Sequence, residues 1–177
     1  VLVAIGSPLV GIPILLLAVA GLWLMRPGRT RYRIRAPRRP ARISRPRTAS
    51  ISGYQAMTPG QFEHALADLC RRDGCTQVRV VGGAGDLAAD VLATTPDGRK
   101  LLIQAKRFGP NTTVGSGDVQ KVNGTYRDIH HAQLAAIVTT NRFTKDAEAL
   151  ARRVGIRAYD QHRLASWASR TGPAPWQ

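Results

Sequence analysis

The side chains in this sequence best suited to do chemistry together are one carboxylate, one amide and one ammonium: Asp90, Gln104 and Lys106. In Leu101-Leu102-Ile103-Gln104-Ala105-Lys106, the period of two in a strand puts Gln104 and Lys106 on one face. Leu101, Ile103 and Ala105 share the other. A strand this apolar belongs inside a sheet, so its polar end carries the amide and the ammonium to one sheet edge. Asp90 comes just after a glycine turn, Gly82-Gly83-Ala84-Gly85. Pro96-Asp97-Gly98 is a hairpin signal joining strands expected at 89–95 and 100–107. Counted outward from that turn, Thr95 faces Lys100 and Asp90 lands near Ala105, so the three groups converge.

Such a constellation suits a divalent cation and a phosphodiester. Asp90 offers an anionic oxygen to Mg²⁺ (or Mn²⁺), an ion that takes only one or two carboxylates and keeps several waters. Gln104 can add its amide oxygen, and the main-chain carbonyl of Ala105 another. The metal would acidify a water and neutralise charge on the scissile phosphate. Lys106 would orient or deprotonate that water, or stabilise charge in the transition state. Glu63 lies at the border of the first helix's apolar face, about 100° round from Phe62, and can point into the same site as a further metal or water ligand. Because Gln104 stands where a second carboxylate would make the site more anionic, one metal is expected rather than two.

The elements that must position these groups begin sharply at Thr58. It is a good N-cap, Pro59 suits the first helical position, and Gln61 completes a capping box. Phe62, Ala65, Leu66, Leu69 and Cys70 then recur at helical spacing until Gly74. A strand at 77–81 precedes the glycine turn and the hairpin. A loop at 109–117 leads to a helix with Val119, Val122, Tyr126 and Ile129 on one face. A buried strand at 134–140 follows, then a helix capped by Thr144 with Ala147, Leu150, Ala151 and Val154. A short strand at 156–159 and a last helix, capped by Asp160 and carrying Leu164 and Trp167, complete the order α-β-β-β-α-β-α-β-α. That order implies an α/β fold, a mixed β-sheet flanked by helices on both faces, with a parallel crossover between the third and fourth strands.

Ahead of this domain the composition changes twice. Residues 1–25 contain no charged side chain. As a helix they would span about 37 Å, enough for a hydrocarbon core of about 30 Å, with Trp23 at the interface. One transmembrane helix is expected there, with the charged side in the cytoplasm by the positive-inside rule. The competing reading is a signal peptide cleaved near Ala18-Val19-Ala20, which would make the protein secreted. Against it, no basic residue precedes the apolar run and dense arginine follows it. Residues 26–56 are rich in Arg and Pro and too poor in large apolar groups to offset their ordering entropy, so a disordered linker is expected. Ten arginines between Arg26 and Arg47 account for most of the formal +15 charge, leaving +5 for everything after them. Next to a membrane these arginines suit anionic lipid headgroups. Residues 57–169 form the folded domain, and 170–177 read as a flexible tail. Cys70 and Cys75 make neither a disulfide framework nor a zinc pattern and read as reduced thiols.

The folded segment resembles the Mrr-like restriction endonucleases of the PD-(D/E)xK nuclease superfamily. The matching pieces are Phe62-Glu63, Gly82-Gly83-Ala84-Gly85-Asp86 leading to Asp90, and Gln104-Ala105-Lys106. Further on come Val114-Gly115-Ser116…Asp118-Val119-Gln120, Val138-Thr139-Thr140…Phe143-Thr144 and the helix with Leu164. The resemblance implies a restriction-endonuclease-like fold and Mg²⁺-dependent cleavage of DNA, in the service of restriction of foreign DNA. It also implies that Asp90, Gln104 and Lys106 are catalytic and Glu63 auxiliary. Where the family pattern has a glycine two residues after its first Asp, this chain has Ala88. In place of the winged-helix DNA reader common in the family, it has the apolar segment and the arginine-rich linker.

Each residue also has a plainer reading. Asp86 is read as stabilising its own glycine turn, and His130 and His131 as partners of a helix C-terminus. Thr139 and Thr140 are read as capping the loop after their strand. Gln120, near a helix start, is either a DNA contact or an exposed helix residue. Lys121, Arg107 and Arg142 are either phosphate contacts or solvated charges. Two cuts in a duplex usually need two active sites, which fits a homodimer. The rival to a nuclease is a non-catalytic, membrane-tethered DNA-binding module that keeps the fold.

Overall fold

The computed structural model describes residues 50–83 and 85–177. The expected membrane helix at 1–25, and the linker as far as residue 49, lie outside the described residues. Among those described, no helix is long and apolar enough to cross a membrane.

Two helices open the domain, α1 (Ile51–Gln55) and α2 (Pro59–Arg72). The expected capping box starts α2: Thr58 Oγ1 accepts from Gln61 N at 3.3 Å, and Gln61 Oε1 accepts from Thr58 N at 2.9 Å. Helix α1 is a correction to the linker expected to run through residue 56. Five residues are too short to show a helical period, but Tyr54 is buried and meets the Phe62 ring edge-on, with centroids 5.9 Å apart. Tertiary packing of one aromatic ring thus orders a segment whose composition alone suggests disorder.

Strands β1 (Thr76–Val80), β2 (Val91–Thr94), β3 (Lys100–Lys106), β4 (Leu134–Thr139) and β5 (Arg157–Tyr159) lie side by side in that order. The pairs β1–β2 and β2–β3 are antiparallel, and β3–β4 and β4–β5 are parallel. The mixed sheet is therefore as expected. Helices α3 (Ser116–Asn123), α4 (Lys145–Val154) and α5 (Gln161–Ala168) supply the crossovers and the final cover. Leu101 and Ile103 pack with Phe62, Leu66 and Trp167 on one side of the sheet. Leu102 and Ile137 pack with Val119, Val122, Tyr126 and Ala151 on the other. Burial on both faces is what a central strand as apolar as β3 requires.

Three local expectations change. The hairpin pairs Thr94, not Thr95, with Lys100. Thr95 Oγ1 binds both the amide and the carbonyl of Arg99, at 3.1 and 3.0 Å, so the closed loop is one residue longer on that side. The helix expected to carry Tyr126 and Ile129 ends at Asn123, with Gly124 as its C-cap. Tyr126 is still buried, but Ile129 is 47% exposed, and His130 and His131 follow a run of turns rather than a helix end. The tail beyond residue 169 is not loose over its whole length. Ala174 and Trp176 are buried, and Trp176 meets Trp167 edge-on at 5.7 Å. Arg99 Nη2 donates to the Trp176 carbonyl at 3.2 Å, and the Tyr159 hydroxyl donates to the Pro173 carbonyl at 2.9 Å. Two prolines hide any helical or strand period there, so only the packing against Trp167 shows where Trp176 belongs.

Candidate active site

Asp90 precedes β2 and is 4% exposed. Its main chain continues the ladder on both sides, with Asp90 N donating to the Ile103 carbonyl at 3.0 Å and Val81 N to the Asp90 carbonyl at 2.8 Å. Its Oδ2 accepts from Ala105 N at 2.6 Å and from the side-chain amide of Gln104. The carboxylate and the amide that hairpin counting brought together are thus in direct contact, despite the one-residue change in register. The donor to Asp90 is the Gln104 nitrogen, which leaves the amide oxygen as the free coordinating atom on that side chain.

Glu63 arrives from α2. Its Oε2 and Oδ1 of Asp90 crowd the same point, lying 2.5 and 3.1 Å from where a β-carbon on Gly82 would stand. Only a residue without a side chain lets two carboxylates approach there, which is one reason for glycine two residues after β1. We expect Gly82→Ala to displace the flexible Glu63 side chain, since Asp90 is pinned by two donors. Melting temperature should change little, while any activity that needs Glu63 should fall roughly 10- to 100-fold. The same loss in Glu63→Ala, with no further loss in the double variant, would establish the cause.

Lys106 lies at the end of β3, and its Nζ is 3.1 Å from Asp118 Oδ1. Sequence reasoning assigned no role to Asp118. The only local signal was an acidic residue three after Gly115 at a helix start, and nothing in the spacing says that a lysine twelve residues earlier reaches it. Thr139 was also underread. Its hydroxyl does bind Asn141 N at 3.2 Å, as a loop cap would, but it also donates to the Lys106 carbonyl at 2.8 Å. Thr140 Oγ1 likewise clips both the amide and the carbonyl of Phe108 at 2.9 Å.

The electrostatics follow from these contacts. Burial and the nearby Glu63 and Asp86 carboxylates push Asp90 up to about 6, although the Ala105 amide and the more distant Lys106 oppose the shift. Burial, with Asp86 adding to it and His64 opposing it, also raises Glu63. Lys106 has its closest carboxylate contact with Asp118, and among the described residues no lysine or arginine forms an ion pair with Glu63 or Asp90. Among the described residues no three His, Cys, Asp or Glu side chains gather around one point. A divalent ion here would therefore draw on two carboxylates and on amide or main-chain oxygens, a hard oxygen set that fits Mg²⁺ or Mn²⁺.

The Mrr_cat family, described as restriction endonuclease, matches residues 54–168. The chain belongs to this family. No curated protein matches the sequence. Three solved structures resemble it. A protein of unknown function, AF1548, is 21% identical with a TM-score of 0.47, covering 58% of this chain and 62% of that one. The MspJI restriction endonuclease in complex with a 27-mer oligonucleotide is 18% identical with a TM-score of 0.47, covering 70% and 31%. The DNA modification-dependent restriction endonuclease AspBHI is 15% identical with a TM-score of 0.42, covering 74% and 41%. This chain thus spans less than two thirds of each.

The Mrr_cat domain treats the remaining candidates differently. Asp86 does hold its own turn, accepting from Gly83 N at 3.2 Å and Ala88 N at 3.0 Å. Leu87 and Ala88, with φ of 50° and 66°, sit in the left-handed region that glycine tolerates best. Ala88, standing where the family pattern has glycine, thus takes a glycine-like backbone at a cost of roughly 1 kcal/mol. Gln120, Lys121 and Arg142 are exposed. Arg107 is half-buried, and its Nε is buried without a hydrogen-bond partner. His130 Nε2 lies 3.3 Å from the Leu87 carbonyl, so it braces the loop rather than a helix end.

Proposed function

We propose that this Mrr_cat domain is a Mg²⁺-dependent endodeoxyribonuclease that hydrolyses phosphodiester bonds, acting in restriction of foreign DNA. The observation that carries the reading is the approach of half-buried Glu63 to the buried Asp90–Gln104 pair, where among the described residues no lysine or arginine pairs with either carboxylate. Asp90, the Gln104 amide oxygen and the Ala105 carbonyl would hold the ion, with Glu63 as a further metal or water ligand. A bound Mg²⁺ would supply Lewis-acid polarisation of the scissile phosphate and a more acidic water.

The protein's own groups do the rest. Ala105 N and the Gln104 amide keep Asp90 Oδ2 turned inward, so the carboxylate is preorganised rather than solvated. Glu63 accepts hydrogen bonds from the attacking water and aligns it. Lys106 places an ammonium against the non-bridging phosphate oxygens, where negative charge accumulates as the bond to the leaving oxygen breaks. Arg107, Lys121 and Gln120 would contact the DNA backbone beyond the reacting phosphate. Tethering of the domain to the cytoplasmic face of a membrane by residues 1–25, lipid contacts by the arginine-rich linker, and a homodimer that cuts both strands complete the proposal on sequence grounds.

The deciding experiment incubates supercoiled plasmid with purified protein, Mg²⁺ or Mn²⁺, and excess EDTA in parallel. Nicking or linearisation with metal and none with EDTA is the expected result. Intact plasmid in every lane, or cleavage that EDTA leaves unchanged, refutes the assignment.

A further inference from the structure

We propose that Asp118 is the positioning residue for Lys106, holding its ammonium at the place where it meets the substrate phosphate; this rests on the nuclease reading above. A lysine side chain has a flexible four-carbon stem and loses much rotamer freedom when fixed. In this protein both of its ends are held. At the main chain, the Lys106 carbonyl accepts from Thr139 Oγ1 at 2.8 Å and from Thr140 N at 3.2 Å. At the tip, Nζ lies 3.1 Å from Asp118 Oδ1, with both side chains less than a quarter exposed.

Asp118 is itself anchored. Its second oxygen, Oδ2, accepts from Gly115 N at 3.3 Å, so capping of α3 and contact with the lysine use different oxygens. The residue before that cap is tied across the molecule: Val114 N donates to the Arg142 carbonyl, and Thr144 N to the Val114 carbonyl, each at 3.0 Å. Buried Asn141 fastens the loop ahead of it, donating to the Gly109 and Thr112 carbonyls at 2.7 Å each. The start of α3 is therefore a rigid post, and Asp118 passes that rigidity to a side chain on another element. An acid at the third position of a helix ordinarily serves only its own cap, and that role alone would not require Nζ on the other oxygen. The contact also gives the Lys106 ammonium a carboxylate partner outside the Asp90–Glu63 corner, leaving that corner open to a cation.

Asp118→Asn separates the two roles, because asparagine keeps an oxygen for Gly115 N but removes the charge that holds Nζ. The test measures Mg²⁺-dependent nicking of supercoiled plasmid by the full chain in wild type, Asp118→Asn, Lys106→Ala and the double variant, together with melting curves. The expected result is a kcat roughly tenfold lower for Asp118→Asn, with KM and melting temperature near wild type. In the Lys106→Ala background the same change should add no further loss. A wild-type kcat in Asp118→Asn overturns the inference, as does an equal fold-loss with and without Lys106. Should asparagine lower the melting temperature, Asp118→Gln, whose amide oxygen can also accept from the N-cap amide in a capping box, is measured in the same cycle and read by the same criterion. A wild type that nicks while the cycle is additive refutes this inference alone. A wild type that fails to nick refutes the nuclease reading and this inference with it.

Discussion

Replacing Asp90 by asparagine is expected to abolish cleavage and, at the same time, to stabilise the metal-free domain at pH 8. The carboxylate is 4% exposed, its Oδ1 shares the space over Gly82 with Glu63, and burial pushes it up to about 6 from an ordinary 3.8. A carboxyl raised in the folded state binds its proton more tightly folded than unfolded. Between about pH 4 and 6 the metal-free protein should therefore gain stability as the pH falls. Above pH 6 the ionised group costs the fold up to about 3 kcal/mol. Asparagine removes that cost. Its oxygen can still accept from Ala105 N, and its amide can donate to Glu63 where two anions now face each other. The advantage of the variant should be largest at pH 8 and vanish below pH 4, as chemical melts at both pH values would show. Catalytically, losing a charged ligand that holds several kcal/mol of transition-state stabilisation means roughly a 10³-fold loss. An Asp90→Asn variant that is less stable than wild type at pH 8, or that still nicks plasmid at the wild-type rate, contradicts the assigned environment and role.

The second large effect separates binding from turnover. Lys106→Ala should lower nicking by about 10²- to 10³-fold, the usual cost of removing one preorganised charge stabiliser, while leaving Mg²⁺ binding intact or tighter. The reason is position: Lys106 opposes the raised Asp90 only weakly and has its closest carboxylate partner in Asp118, so deleting it removes positive charge near the cation without disturbing a ligand. Titration calorimetry with Mg²⁺ should show a site in wild type and Lys106→Ala and none in Asp90→Asn. Loss of the site in Lys106→Ala would mean that the lysine builds the metal pocket rather than acting on the phosphate. Because Asp118 remains partly hydrated and still caps α3, the folding cost of this variant should be small.

Much of this arrangement was legible in the residues. Alternation along Leu101–Lys106 assigns Gln104 and Lys106 to one face whatever the neighbours do, because a strand's side chains alternate by covalent geometry. Capping chemistry at Thr58, Thr144 and Asp160 marked three helix starts, since a side-chain acceptor and the first free amides are neighbours in sequence. Hairpin counting was off by one residue and still brought Asp90 to Gln104 and Ala105, because a carboxylate reaches more than one rung of the ladder.

What local pattern could not show was every contact that closes over a long loop or against an aromatic ring. The ordering of α1 depends on Tyr54 finding Phe62, and that of the C-terminal segment on Trp176 finding Trp167. Neither segment has a period of its own, so neither is visible until the core exists. The same holds in the site. The identities and facing of Asp90, Gln104 and Lys106 follow from the sequence, because they depend on backbone geometry within one hairpin. Glu63 was legible as a helix-border residue able to reach the site, but that Gly82 must lack a side chain beside Glu63 and Asp90, and that Asp118 holds Lys106, were decided only by the tertiary structure. These contacts join α2, β1 and α3 to the hairpin through packing, and sequence separation carries no record of them.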